Sequence, residues 1–539
     1  MKIVIVGNGA AGVFCASAIK KNFPEHEVVI VYDPKKSHIG VGESLGFNGP
    51  DFMKNTLGLT DELDWMRDSN SAFKFGVAWL GWDGNDDNMY MNPAPTNASY
   101  KTIHNSWLDS CYHLYQHQDD FSLYDLWLHC KSKGLVDTQT PHDGISEAYY
   151  FLKHNKSPVD QDGQWLISPH VGHSYHINAE HIRQTVYNKV GKPAGVKELP
   201  VPIKEIVING ENIEYLLLEN DTKVVADLFF DCTGFNKLLV SKLPFTFVED
   251  DEYHNNTALV GSYKYQDPEE HNSWTMLAAM DYGWRFSISM NHRSGEGYQY
   301  NSNIYNNEDH LVAEYERKTR RPGNILRKIS WTPGYYNKSF VGNCVALGLS
   351  HGFIDVFDAN NFSSTMMYIK RIIEHLKNNN SADFTWKDSF NWYVDKITSD
   401  IRFRIQCAFF LAPKNNTVYW HEMKRAAEKY DTKEKLIEAV FSDRKKKNLV
   451  FNNNAYSQNT FLNTALYYKI PLQIPDWKID KQTEELAINF FNFVRNKSQI
   501  QKDFAISSGK FYHHHLFADT KFNPSENDKI PTTYENLLS

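Results

Sequence analysis

The chain opens on a strand that ends in glycines, and no other feature limits its fold as much. Lys2-Ile3-Val4-Ile5-Val6 is a short apolar run suited to a strand buried on both faces. Gly7-Asn8-Gly9-Ala10-Ala11-Gly12 follows, then a helical stretch from Val13 to Phe23 and a second apolar run from Glu27 to Tyr32. Strand, glycine turn, helix and strand make a βαβ unit of the dinucleotide-binding kind. The first glycine permits the tight turn, the second lets backbone approach a pyrophosphate, and the third lets helix pack close on strand. Free N–H groups and the helix dipole then favour phosphate at the helix start. Gly7, Gly9, Ala10 and Gly12 are therefore candidate cofactor-binding residues. An acidic side chain about 20 positions on should hold ribose hydroxyls. Asp33 stands 21 residues after Gly12, next to Tyr32 at the strand's end.

Two later strand-to-turn signals extend this unit. Leu228-Phe229-Phe230 runs into Asp231-Cys232-Thr233-Gly234, and Cys344-Val345-Ala346-Leu347 runs into Gly348-Leu349-Ser350, with a helical pattern from Ser363. Signals more than 100 residues apart predict one α/β module built from discontinuous segments. Residues 255–300 alternate and read as antiparallel strands, and residues 385–450 read as amphipathic helices. The Asn runs 378–380 and 452–454 mark loops, the first a module boundary, and residues 500–539 read as polar and irregular. The expected division is a discontinuous module over 1–377, with an inserted sheet over about 245–335, and a helical module over 378–539. No second G-x-G-x-x-G occurs, so NAD(P)H has no dedicated domain.

The rest of the sequence mainly excludes. Lys and Arg number 57 against 65 Asp and Glu, a net charge of −8, which leaves no basic field for nucleic acid or an anionic membrane. No run of about 20 apolar residues predicts a membrane span. The N-terminus shows no cleavable signal pattern. Six cysteines at 15, 111, 130, 232, 344 and 407 lack paired spacing and fit a reducing cytoplasm. His513-His514-His515 lacks the spacing of a tetrahedral metal site, so no metal is expected. Aromatic residues reach 14%, enough for a large core or for a pocket that stacks a planar ligand.

Asp-x-Thr-Gly at 231–234 together with Gly-Leu-Ser at 348–350 is the pairing found in FAD-dependent flavoproteins of the hydroxylase type. Further patches follow in order: Ile39-Gly40-Val41-Gly42-Glu43-Ser44, Ser71-Ala72-Phe73-Lys74-Phe75-Gly76, Tyr175-His176-Ile177-Asn178-Ala179, Gly283-Trp284-Arg285-Phe286-Ser287-Ile288, and Gly352-Phe353-Ile354-Asp355. In their order and spacing they resemble the flavin-dependent halogenases of the tryptophan-halogenase type, over roughly residues 1–375. Three departures stand out. Phe286 and Ser289 replace the second Trp and the Pro of the family's Trp-x-Trp-x-Ile-Pro. Asp358 falls where the family's catalytic Glu stands. Tyr32 falls on its ribose Glu, leaving Asp33 as a substitute.

The resemblance implies an FAD-binding, Rossmann-like α/β module of the flavin hydroxylase type with an inserted antiparallel sheet and a mainly helical C-terminal module. It adds Ser44, Leu349 and Phe362 to the FAD site. It implies that reduced FAD, O2 and halide (chloride or bromide) yield hypohalous acid, which a lysine guides to a small electron-rich aromatic substrate. It also implies that a separate flavin reductase reduces the FAD, with no stable complex required. Lys74 is then the guiding lysine, Asp358 the catalytic carboxylate, and the amides at Asn360 and Asn361 the halide site. Asn tolerates the left-handed conformation such a turn needs. Plainer readings stand beside these. Lys74 could lie on the solvated face of an edge strand, Asp358 could cap a helix, Asp355 competes as the carboxylate, and Asn360-Asn361 could be an ordinary loop. A flavin monooxygenase and a non-catalytic flavin-fold protein remain rivals, and a homo-oligomer stays open. Residues 445–475 hold Phe451, Tyr456, Phe461, Tyr467 and Tyr468 but no Trp. A pocket without that clamp predicts poor activity on free tryptophan and broad activity on smaller arenes.

Overall fold

The computed structural model describes residues 1–36, 42–94, 123–162, 164–166, 172–250, 255–291, 293–378, 383–441, 455–456, 458–512 and 516. Its first sheet has six strands in the order Phe340–Val341, Cys344–Ala346, Leu228–Asp231, Lys2–Val6, Glu27–Val31, Lys197–Leu199. All pair in parallel except the edge hairpin Phe340–Val341 with Cys344–Ala346. The apolar run at residues 3–6 is explained by cover on both sides. Ile3 and Ile5 pack with the helix Ala10–Asn22, while Val4 and Val6 face a small antiparallel sheet formed by Ile203–Asn209, Asn212–Leu218 and Lys223–Val224. The chain goes from Lys2–Val6 to one neighbour, Glu27–Val31, and returns to the other, Leu228–Asp231. That reversal opens a crevice beyond Val6, where ligands of such sheets bind.

Asp231 explains why two distant motifs travel together. It is fully buried, and its carboxylate accepts from Thr233 N, Thr233 Oγ1, Leu239 N, Val240 N and Ser350 Oγ over 2.7–3.0 Å. One buried anion thus ties the Asp-x-Thr-Gly turn to the Gly-Leu-Ser turn, its charge balanced by hydrogen bonds.

The alternating stretch forms the strands Thr257–Lys264, Trp274–Met280, Gly283–Ser289 and Arg293–Tyr300, with Arg327–Ser330 on the outer edge. The inserted sheet is wider than the expected 245–335. Gly76–Leu80 pairs in parallel with Trp274–Met280, and Met89–Pro93 closes the far edge. Another small sheet holds Glu43–Ser44, Ser174–Ile177 and Ala72–Lys74. Lys74 therefore ends one sheet, and two residues later Gly76 begins another.

Helices dominate the C-terminal part: Asn360–Asn378, Lys387–Phe410, Val418–Lys429, Thr432–Phe441, Gln458–Tyr467 and Lys481–Phe504. One apolar cluster spans both sides of residue 378, from Ile3 to Phe390 and Tyr468. The segment after residue 500 is not irregular throughout. Its helix runs to Phe504, Ala505–Ser507 pairs with Lys156–Asp160, and the Tyr512 hydroxyl accepts from Phe73 N at 2.7 Å. Burial of Phe511 and Tyr512 fixes this turn. Residues 39–41, Cys111, residues 379–380, Phe451, residues 452–454, His513-His514-His515 and residues 517–539 lie outside the described residues.

Candidate active site

A cavity of about 450 Å³ runs from the glycine turn to the lysine strand. Gly7, Gly9, Ala10, Asp33, Ser44, Leu349 and Phe362 line it, as do Lys74, Asp358 and Asn361. Gly7 has φ +105°, and a Cβ on it would lie 2.4 Å from the Cys232 carbonyl oxygen. A Cβ on Gly12 would lie 2.0 Å from the Gly7 carbonyl oxygen. Gly12 thus serves the helix–strand contact and does not line the cavity. Gly9 caps the helix Ala10–Asn22 without a side chain and leaves its first N–H groups facing the crevice. Asp33 accepts from Lys35 N at 2.9 Å, and the Tyr32 phenol is hydrogen-bonded to Glu198 and Asn8. Two basic residues were not singled out in the sequence. Lys36 and Arg183 line the same end, Arg183 forked onto Glu180 with Nε 2.9 Å from Oε2. The available signal was the Asn178 cap with an i,i+3 Glu–Arg pair behind it.

At the other end Lys74 is only 2% exposed, which removes the edge-strand reading. Its Nζ donates to Ser44 Oγ at 2.8 Å and to the Leu45 carbonyl at 3.3 Å, and sits 4.9 Å from the Phe47 ring centroid. Burial lowers its pKa to about 8, and the charge of Asp358 opposes the drop. Glu43, beside Ser44, also lines the cavity, and burial raises its carboxyl to about 7.

The two candidate carboxylates separate by role. Asp355 is buried and does not line the cavity; Oδ1 accepts from Phe357 N at 2.8 Å and Oδ2 from Asn255 at 3.3 Å. It shapes the turn. Asp358 faces the cavity, and its Oδ2 accepts from Arg404 Nε at 2.9 Å. Arg404 is itself buried, bonded through Nη1 to Thr464 and set 5.1 Å and 5.3 Å from the rings of Trp79 and Phe357. No local pattern announces this partner, which sits on the helix Lys387–Phe410.

The halide turn differs from expectation in its backbone. Asp358 (φ 56°) and Ala359 (φ 58°) carry the left-handed conformation, not the asparagines. Asn360 is right-handed because the helix Asn360–Asn378 already begins there. Its side chain is buried, bonded to the Tyr456 hydroxyl, and off the cavity wall, whereas Asn361 lines it. Of the other C-terminal aromatics, Phe461 packs on Phe403, and Tyr467 and Tyr468 pack on Trp79.

The cavity suits FAD. The glycine cradle leaves no room for side chains, and amides and basic groups stand where a pyrophosphate would lie. Trp284 lines the wall fully buried, its Nε1 without a partner among the described residues. Such a donor is costly unless a ligand meets it.

Comparison with known proteins agrees with this geometry. The family description "Tryptophan halogenase" matches residues 2–464, well past the 375 positions over which the resemblance was legible. Tryptophan 7-halogenase RebH of Lentzea aerocolonigenes is 25% identical over 439 residues, covering 78% of each chain. The crystal structure of tryptophan 6-halogenase SttH from Streptomyces toxytricini superposes with a TM-score of 0.79 at 22% identity, covering 95% of this chain and 99% of that one. BrvH, a flavin-dependent halogenase from Brevundimonas sp. BAL3, gives 0.73 at 18% identity over 95% and 98%.

Proposed function

The chain belongs to the tryptophan halogenase family, and from that premise we propose that it halogenates an electron-rich arene through a hypohalous acid held by Lys74. One observation carries the reading: a single cavity joins a dinucleotide-type glycine turn to a buried lysine and a cavity-facing carboxylate. FAD, when bound and reduced, would give two electrons to O2 and chloride or bromide would give two more, so that one oxygen leaves as water and the other as hypohalous acid. The glycine turn and the helix start at Ala10 would hold the pyrophosphate, Asp33 a ribose, and Ser44, Leu349 and Phe362 would stand at the flavin. Of the two amides expected at the halide, the Asn361 N–H lies at the helix start on the cavity wall and suits a halide ion, whereas the Asn360 N–H is already spent on the Phe357 carbonyl.

At the far end, an ammonium N–H of Lys74 donates to the hypohalite oxygen. A ring carbon of the arene then takes the halogen, the O–X bond breaks, and Lys74 passes a proton to the departing oxygen, which leaves as water. Asp358 accepts the ring proton and returns it to Lys74, so that Ar–H and HOX give Ar–X and H2O. Arg404 on Oδ2 leaves Oδ1 to meet the ring. In this reading residues 1–377 bind FAD and residues 378–539 cover the substrate. A separate flavin reductase reduces the FAD, since no second nucleotide motif serves NAD(P)H. No described helix is long and apolar enough to cross a membrane, and we place the reaction in the cytoplasm.

The test supplies FAD, a flavin reductase with NADH, and bromide, and screens free tryptophan, indoles, phenols and anilines by mass spectrometry. Relatives named tryptophan halogenases make tryptophan the first substrate to try; the Trp-free stretch 445–475 favours the smaller arenes. Brominated product should vanish in Lys74→Ala while FAD affinity stays. Product at the wild-type rate in Lys74→Ala, or oxygenated product without bromide dependence, overturns the reading.

A further inference from the structure

Behind Lys74 runs a chain of buried polar groups that the reaction scheme above does not use. Ser44 Oγ, which accepts from Lys74 Nζ at 2.8 Å, lies 3.4 Å from Thr275 Oγ1. Thr275 Oγ1 is 2.8 Å from His176 Nε2, and His176 Nδ1 is 2.8 Å from the Ser289 carbonyl oxygen. His176 is fully buried, and Ser44, Thr275 and Ser289 are each 6% exposed or less. The chain crosses from the small sheet, where Ser44 pairs with His176, into the seven-stranded sheet, which carries Thr275 and Ser289.

The directions follow from donor inventory. A carbonyl only accepts, so His176 must carry its proton on Nδ1 to meet Ser289. Burial, and behind it the charge of Lys74, keeps His176 well below the usual imidazole range, so the ring is neutral and Nε2 is an acceptor. Thr275 has one hydrogen, and Nε2 takes it. With that hydrogen on Nε2, Thr275 has none left to donate across the gap to Ser44 Oγ, the direction in which that contact is aligned. Ser44 Oγ spends its own hydrogen on the Leu45 carbonyl at 3.3 Å. The Ser44 hydrogen must point away from Lys74, and its lone pair faces Nζ.

We propose that His176, through Thr275 and Ser44, is a positioning residue for Lys74: it fixes an acceptor behind the amine so that the remaining valence of nitrogen points into the cavity. Ser44 Oγ and the Leu45 carbonyl take two N–H bonds. An ammonium then presents its third N–H to the cavity, and an amine presents its lone pair. The proposal rests on the halogenase reading for its purpose, but the relay itself is a property of the buried groups. Around Lys74, Asp358 acts from the turn, Glu43 adjoins Ser44, and His271 acts on His176.

The test measures the titration of Lys74 directly, by competitive acetylation with acetic anhydride across pH and mass spectrometry of the peptide, alongside bromination of one arene. Wild type should titrate near pH 8. His176→Phe keeps a ring but loses both nitrogens, so the Thr275 hydrogen turns to Ser44 Oγ and competes with Lys74 for its lone pairs. The Lys74 midpoint should fall by about one pH unit, the scale of a weakened charge-assisted hydrogen bond. Bromination kcat should fall about tenfold with KM unchanged. His176→Gln offers Thr275 a carbonyl in place of Nε2 and should restore both. Thr275→Val removes the competing hydrogen, so it should leave the midpoint near 8 on its own and restore it in the double variant with His176→Phe; His176→Leu, which also lacks an acceptor, serves if His176→Phe does not fold. An unmoved midpoint in His176→Phe and His176→Leu, a double variant as shifted as the single, or a Gln variant as impaired as Phe, overturns the proposal. If wild type halogenates nothing, the functional reading falls while the acetylation midpoints still decide the relay.

Discussion

Replacing Arg404 with Met would test how the candidate carboxylate Asp358 is held. The substitution keeps a long apolar stem against Trp79 and Phe357 but removes the Nε bond to Asp358 and the Nη1 bond to Thr464. Stranding one member of a fully buried pair costs about 3–5 kcal/mol. Asp358 keeps 13% of its side chain exposed and opens on the cavity, so water can recover part of that loss. The removed guanidinium also no longer has to be desolvated. The expected net cost is about 2 kcal/mol, near the worth of one charge-assisted hydrogen bond plus a neutral one. Urea unfolding of wild type, Arg404→Met, Asp358→Asn and the double variant gives the cycle directly. The double variant should be less destabilised than the two singles added, because no stranded charge remains. Bromination by Arg404→Met should fall at least about tenfold, since a carboxylate without its clamp loses alignment. Additive single costs would show that the ion pair does not hold Asp358, and an unchanged rate would show that its alignment does not matter.

Three further outcomes are expected. The unfolded chain carries an ordinary lysine near 10.5 while folded Lys74 titrates near 8, so between these values the unfolded state binds more protons and stability rises with pH; Lys74→Met should flatten that rise in unfolding curves taken from pH 8 to 10.5. Gly12→Ala forces a methyl to 2.0 Å from the Gly7 carbonyl, so FAD affinity should drop at least about 100-fold by titration, because helix and strand must part; an unchanged affinity would refute the cradle. Asp358→Ala should cost at least about tenfold in rate and also lower the unfolding midpoint, because it strands the buried Arg404 guanidinium, whereas Asp355→Ala should lower the midpoint with a smaller effect on rate, because Phe357 N and Asn255 lose an acceptor in the turn.

What the sequence made legible is local. The glycine turn sits in one run of twelve residues whose strand, turn and helix each follow from their own side chains. Lys74 stood out because a charged residue interrupts an apolar run. Asp231 and Ser350 were visible as a pair of motifs, but not as the single buried carboxylate that joins them. Arg404 and Tyr512 carried no such mark, and His176 stood inside a matched patch with no role attached. Their partners lie on other elements, and the pairing exists only once the sheets and the C-terminal helices have packed. Arg404 reads from sequence as one more basic residue on an amphipathic helix, and His176 as a polar break in a strand. The left-handed turn was misplaced by two residues for a related reason. Asn favours that conformation in isolation, but the helix start claimed Asn360 and pushed the turn onto Asp358 and Ala359.

Lys74 closes one sheet and, with only Phe75 between, the chain enters the next, where Gly76 packs too close for a Cβ against the Asn92 carbonyl. A side chain mounted on such a splice has no hinge of its own. Its Cα is as fixed as the seam between the two sheets, and Ser44 Oγ and the Leu45 carbonyl hold its tip. Lys74 and the carboxylate that acts on it thus hang from different supports: Arg404, on the helix Lys387–Phe410, holds Asp358, so a shift of that helix would move one group and leave the other at its address.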